Sequence, residues 1–301
     1  YNALGQQTGE TLPNGQAIRY TYDGDGNLLT KTDSGGTVTY GYNAADQLTS
    51  VTDPSGAQTT FAYDANGNPT QVAYPNGVTE NTTYNSAGQI TQIQATNSAG
   101  TVLTSFGYTY TDPTTGTATN QIYSVTNAAG DTTTYQYDAL NRLTQATETN
   151  ASGTVLNSDS WTYDANGNML SKTANGTITN LSYNAANEMT QNGSYTYTYD
   201  ANGNLTGSSA GLSLSYNAAN QTTSITPAGG SADPMTYAGV GQSDRLTEGT
   251  NTYQSDLTGI SAMTNSSGTD YFTRMPSGQL ISDRTPSGTY YYLLDAQGSV
   301  V

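Results

Sequence analysis

Along much of the chain, apolar and aromatic side chains take every second position for a few residues, stop at a cluster of Asp, Asn and Gly, and then resume. Thr37-Val38-Thr39-Tyr40-Gly41-Tyr42 alternates with the period of two that a half-buried strand requires, Asn43 to Gln47 supplies turn residues, and Leu48-Thr49-Ser50-Val51-Thr52 alternates again before Asp53-Pro54-Ser55-Gly56 turns the chain back. The pattern predicts two antiparallel strands per unit. Leu, Ile, Val and Phe are scarce, a composition that elsewhere reads as disorder, but here the β-formers are phased between turns, and phasing is a folding signal.

The unit recurs. Its strongest copies begin at Tyr22-Asp23-Gly24-Asp25-Gly26-Asn27-Leu28, Tyr63-Asp64-Ala65-Asn66-Gly67, Tyr163-Asp164-Ala165-Asn166-Gly167 and Tyr199-Asp200-Ala201-Asn202-Gly203, with Tyr137-Asp138 a further copy. A sister form has Asn for Asp: Tyr42-Asn43, Tyr84-Asn85 with Gly88, Tyr183-Asn184 and Tyr216-Asn217. The Asp or Asn is expected to accept hydrogen bonds from backbone amides two or three residues on, and the Gly or Asn three residues later to take a left-handed conformation. The Tyr ring and the Leu, Ile or Met after the turn are expected to pack on neighbouring repeats. Roughly fourteen such hairpins form a sheet too long to stay flat, so it must twist and curl. The fold class predicted is all-β: one long, curling antiparallel sheet of tandem hairpins, spiral, shell-like or solenoid-like, spanning 1–301 as a single array.

Charge and chemistry narrow the function. With 7 Lys plus Arg against 23 Asp plus Glu, a formal charge of −16, and no basic cluster between Arg19 and Arg284, nucleic acid is disfavoured as a partner. The absence of His and Cys removes imidazole bases, thiolates, disulfides and the usual zinc, haem and iron–sulfur ligands, so no cofactor is expected. No apolar run has the length of a membrane span, and the first residue is not Met, which reads as a fragment of a longer protein.

The motif copies, together with the ending Tyr290-Tyr291-Tyr292-Leu293-Leu294-Asp295-Ala296-Gln297-Gly298-Ser299-Val300-Val301, resemble the Rhs/YD-repeat family, which includes teneurins and the C component of insecticidal toxin complexes. Tyr292, Asp295, Gly298 and Ser299 match the family's core segment, at about 290–301. The resemblance implies a spiralling β-sheet shell enclosing a C-terminal toxin or effector of the same chain, secreted or at the cell surface of a bacterium and handled by secretion or delivery machinery. It also implies a self-cleaving aspartyl segment after the core, which this sequence does not reach.

Other residues carry weaker readings. Asp53-Pro54-Ser55-Gly56, Asp112-Pro113 and Asp233-Pro234 read as turns. Asp23-Gly24-Asp25-Gly26-Asn27 starts like a calcium loop, but Leu28 and Ser34 stand where a Gly and a bidentate Glu belong, so no metal is expected. The recurrent Asp23, Asp64, Asp138, Asp164 and Asp200 follow the turn rather than a catalytic pair. Sequons such as those at Asn81 and Asn175 are unremarkable in so Asn- and Thr-rich a chain.

Two functions follow. The first is a non-catalytic shell with an acidic outside around a cargo. The alternative is a carbohydrate-binding or adhesive array in which rows of tyrosines, among Tyr20, Tyr22, Tyr40, Tyr42, Tyr195, Tyr197 and Tyr199, stack on sugars. Alternation puts Tyr195, Tyr197 and Tyr199 on one face, which favours packing, and Trp161 is expected in the core.

Overall fold

The structure, a computed structural model, describes residues 1–12, 15–238 and 244–301. Among these the chain is all-β, with 28 strands, no helix and antiparallel pairing throughout the registered ladders. Strands follow one another as a meander: Ala17–Tyr22 pairs with Leu28–Asp33, which pairs with Gly36–Tyr42, which pairs with Leu48–Thr52, and so onward. The chain divides into two compact units, one made of 1–104 and 236–301, the other of 105–235.

The first unit has two layers. One contains the strands from Gly9–Thr11 to Ile90–Thr96, the other those from Asp244–Glu248 to Gly288–Tyr291. The first layer supplies the apolar side of the interface, where Ile18, Tyr20, Leu28, Val38, Tyr40, Val51 and Phe61 cluster with Ile281. The second supplies mainly hydroxyls and amides, with Gln254, Ser261, Thr273 and Ser282 all buried. Buried polar groups need partners, and the layers provide them: the Tyr40 hydroxyl donates to the Arg274 carbonyl at 3.1 Å, Ser34 Oγ to Gln254 Oε1 at 3.1 Å, and Arg284 Nη2 to the Gly35 carbonyl at 2.7 Å. Gly35 must lack a side chain, since the Tyr271 ring occupies the space a Cβ would need.

The second unit is a meander from Ser124–Asn127 to Thr222–Thr226, flanked by parts of Val102–Thr109 and Asp233–Ala238. Its buried residues are Tyr108, Gly207 and Met235, so the face carrying its motif tyrosines stays half-exposed.

The strict alternation expected after each turn does not hold. At all nine motif tyrosines the register slips by one residue: Tyr42 faces Leu48 and Gly41 faces Ser50, leaving Thr49 as a bulge. Tyr40 faces Val51, so Leu48 and Val51 share the tyrosine face although they lie three apart in sequence. Alternation would have put them on opposite faces.

Other expectations need correction too. Asp233-Pro234 opens the strand Asp233–Ala238 rather than making a turn, at a strand start where a missing N–H is tolerated. Trp161 is half-buried rather than core, with Lys172 Nζ 5.9 Å from its ring. Tyr195 is 51% exposed, while Tyr197 and Tyr199 on the same strand are half-buried. On the face of the early strands opposite the motif tyrosines, Thr21, Thr30, Thr39 and Thr52 form one cross-strand row, and Gly41, Ser50 and Thr60 another. The repeated carboxylates sit instead in the turns at the sheet edge.

Candidate functional site

Each motif turn is closed by its own side chains. In the first copy the Asp23 amide donates to the Asn27 carbonyl, the Gly26 amide donates to the Asp23 carbonyl, and Gly26 adopts φ +97°. Asp23 Oδ1 accepts the amides of Asp25 at 3.0 Å and Asn27 at 2.8 Å, two and four residues on rather than two or three. Asp23 Oδ2 accepts Asn27 Nδ2 at 3.0 Å, and these bonds hold the carboxyl below its ordinary range, the side-chain bond from Asn27 foremost. Asp64, Asp164 and Asp200 repeat the arrangement with Asn68, Asn168 and Asn204. The carboxylate that resembled a calcium ligand is thus committed to its own turn.

Where Asn replaces Asp, the polarity of the pair reverses. Asn43 Nδ2 donates to Gln47 Oε1 at 2.7 Å, Asn85 to Gln89, Asn184 to Glu188 and Asn217 to Gln221. Asp138 instead takes Arg142 in an ion pair at 2.7 Å. Position and partner match by donor and acceptor: a carboxylate calls for an amide or guanidinium four residues on, and a carboxamide calls for an acceptor. The left-handed position three after the Asp or Asn is Gly26, Gly67, Gly88, Gly167 and Gly203, or Asp46, Asn141, Asn187 and Asn220. The segment Tyr292, Asp295, Gly298 and Ser299 builds the same turn, with Asp295 Oδ1 accepting the amides of Gln297 at 2.9 Å and Ser299 at 2.8 Å.

The motif tyrosines act between repeats. Eight of the nine donate a hydroxyl to a main-chain carbonyl of the preceding repeat: Tyr22 to Gln7, Tyr42 to Leu28, Tyr63 to Leu48, Tyr84 to Pro69, Tyr137 to Ile122, Tyr163 to Leu143, Tyr199 to Met189 and Tyr216 to Leu205, at 2.7–3.0 Å. The physical reason lies in the ladder. Between Leu28–Asp33 and Gly36–Tyr42 the paired residues end at Thr30 and Thr39, so the Leu28 carbonyl lies beyond the last rung. The Tyr42 hydroxyl takes the place of the missing rung. Burial, helped by the charge of Asp23, pushes that hydroxyl up to about 12.

One group that sequence reading missed lies between the layers of the first unit. Lys31 faces Tyr20 in the position that Val51 takes opposite Tyr40. Its Nζ lies 2.6 Å from Asp256 Oδ2 and 3.3 Å from Asp33 Oδ2, with the three side chains at 2%, 0% and 6% exposure. Asp256 Oδ1 also accepts the Thr258 amide and hydroxyl, each at 2.6 Å. The Tyr20 hydroxyl donates to Glu10 Oε1 at 3.0 Å and accepts the Leu257 amide at 3.2 Å. The available signal was a cation in a slot that neighbouring repeats fill with Val51, Val72 and Ile93.

These sites bind and hold; the structure does not gather the motif residues into one pocket. It joins neighbouring turns, as where Asn27 Nδ2 donates to Asp46 Oδ1 at 2.8 Å and Asn168 Nδ2 to Asn187 Oδ1 at 2.9 Å. Among the described residues no group of three or more Asp and Glu side chains is arranged to hold a metal, and no helix is long and apolar enough to cross a membrane.

No curated protein matches the chain. Among solved structures, the Photorhabdus luminescens Tc holotoxin pore, in a TccC3-mutant form, aligns at 18% identity over 95% of this chain with a TM-score of 0.72. A TcdB2-TccC3 complex aligns at 18% identity, 95% coverage and TM-score 0.71, and a TcdB2-TccC3-Cdc42 complex at 18%, 95% and 0.67. These likenesses concern the fold, and the chain spans 17% of the length of each of those proteins. The RHS Repeat family model matches residues 1–38 and 42–79, and the Teneurin YD-shell model matches 114–301, so the chain belongs to the teneurin YD-shell family.

Proposed function

We propose that this chain is a length of non-catalytic shell wall that encloses a toxin or effector segment of the same polypeptide, outside the cell that makes it. The observation that supports this best is the repeated motif architecture: the turn and bulge recur at all nine motif tyrosines, and eight of the nine hydroxyls are spent on a carbonyl of the preceding repeat. A wall needs no reactive group. The surface offered to a cargo is the half-exposed motif face of the second unit, where Tyr135, Trp161, Tyr163, Leu181 and Tyr197 lie. In the first unit the equivalent face of the early strands is already covered by the chain's own late strands.

In the first unit Tyr22, Tyr42 and Tyr63 pack against the core cluster, so sugar stacking gains no support there. The test is limited proteolysis of the full-length gene product. The segment beyond Val301 is expected to resist protease until urea unfolds the repeats. Its digestion while Tyr1–Val301 remains intact would refute enclosure.

A further inference from the structure

Among the described residues Glu80 is the one glutamate with a buried carboxylate oxygen, Oε2, that finds no hydrogen-bond partner. It lies in the strand Thr79–Tyr84, opposite Val72 on one side and Ala95 on the other. Its carboxylate accepts the main-chain amide of Leu294, which belongs to the terminal turn built on Asp295. The same segment is held by Tyr74, whose hydroxyl donates to the Tyr292 carbonyl at 2.8 Å and whose ring lies 5.6 Å from that of Tyr291. Tyr74 faces Glu80 and is itself raised by burial and by the charge of Glu80; Asp283, Arg274 and Asp270 face Tyr292 of the same segment, and among the described residues no ion pair offsets the Glu80 charge.

We infer that the terminal turn segment, 292–301, is a strap on the first unit whose grip is set by the proton on Glu80: firm in acid, loosened towards neutral pH. Burial outweighs the opposing effect of the Leu294 amide and pushes the Glu80 carboxyl up to about 6. The docked state therefore favours the protonated acid. A group raised in this way contributes fully below its ordinary value and loses that contribution as pH climbs through its raised one. Undocking exposes the carboxylate to water and relieves the cost of burying a charge with a vacant oxygen. The strap does not depend on the shell reading, since every contact lies within the first unit.

Hydrogen exchange at the Leu294 amide, corrected for intrinsic base catalysis, reads the open population directly. Between pH 5 and 7.5 that population should rise roughly tenfold. In Glu80→Gln the rise should vanish, because the carboxamide keeps an acceptor for Leu294 but cannot ionise. Tyr74→Phe removes the second anchor, so it should raise opening at both pH values while preserving the tenfold ratio. A flat profile in the unsubstituted chain, a rise that persists in Glu80→Gln, or a ratio near one in Tyr74→Phe overturns the inference.

Discussion

Among the motif tyrosines that replace a missing rung of the ladder, Tyr163 is the one whose loss is read most cleanly. Its hydroxyl donates to the Leu143 carbonyl at 2.7 Å, beyond the last paired residues of that ladder, Gln145 and Ser160. Tyr163→Phe deletes the donor and leaves the ring, with the Arg142 guanidinium still 4.8 Å above it, so packing and cation–π terms are largely kept. The loss is that of one neutral hydrogen bond, about 1 kcal/mol, rising towards about 2 if the stranded carbonyl stays shielded from water. Trp161, the single Trp of the chain, lies two residues away in the same strand and in the second unit, so its fluorescence reports that unit. With a urea slope of about 2 kcal/mol/M, the midpoint should fall by roughly 0.5–1 M with the slope unchanged. Tyr195→Phe, at a half-exposed ring, serves as the control and should move the midpoint little. If Tyr163→Phe unfolds at the same urea concentration as the parent, or if the control falls as far, the hydroxyl is not a structural rung and the reasoning fails.

Two further outcomes follow from the same geometry. Lys31→Ala strands Asp33 and Asp256 between the layers and should cost about 3–5 kcal/mol in chemical denaturation, because an uncompensated buried charge is far worse than a lost pair; a loss under about 1 kcal/mol would mean that water reaches the site. At Asp64 the turn bonds hold the carboxyl below its ordinary range, so its contribution is present above the ordinary value and lost as pH falls through the lowered one; Asp64→Asn should flatten that part of the acid unfolding curve, whereas an unchanged curve argues against the turn as the source.

The hairpin organisation was legible because turns are written in local chemistry: Asp or Asn, then Gly or Asn three later, fixes the loop whatever surrounds it. Three things were less legible. The bulge after each turn hides within an apparently alternating run, because Thr49 and its equivalents differ in no obvious way from their neighbours. The partner four residues beyond each Asp or Asn was on view in the sequence as Asn68, Gln47 or Arg142, but it reads as loop filler until donors and acceptors are matched. The role of Lys31 depends on Asp256, which is distant in sequence, and no local pattern announces a contact made by two layers meeting.

The three local devices act together, which explains why the motif pairs a tyrosine with an aspartate rather than with any two β-formers. The turn fixes one end of each hairpin, and the bulge behind it increases local twist. The inter-repeat ladder stops short of that end, so neighbouring hairpins are unpaired there while remaining paired elsewhere. The end of pairing would leave a carbonyl without a partner in each such repeat, a recurring cost in a sheet so poor in aliphatic side chains. A phenol is long enough to cross the unpaired gap, carries a donor at its tip, and buries an apolar ring on the way. Phenylalanine lacks the donor, and serine or threonine lacks the reach. The tyrosine thus lets the pairing stop at the turn end without stranding a polar group, and repeating that local break is how a β-sheet can be bent by sequence alone.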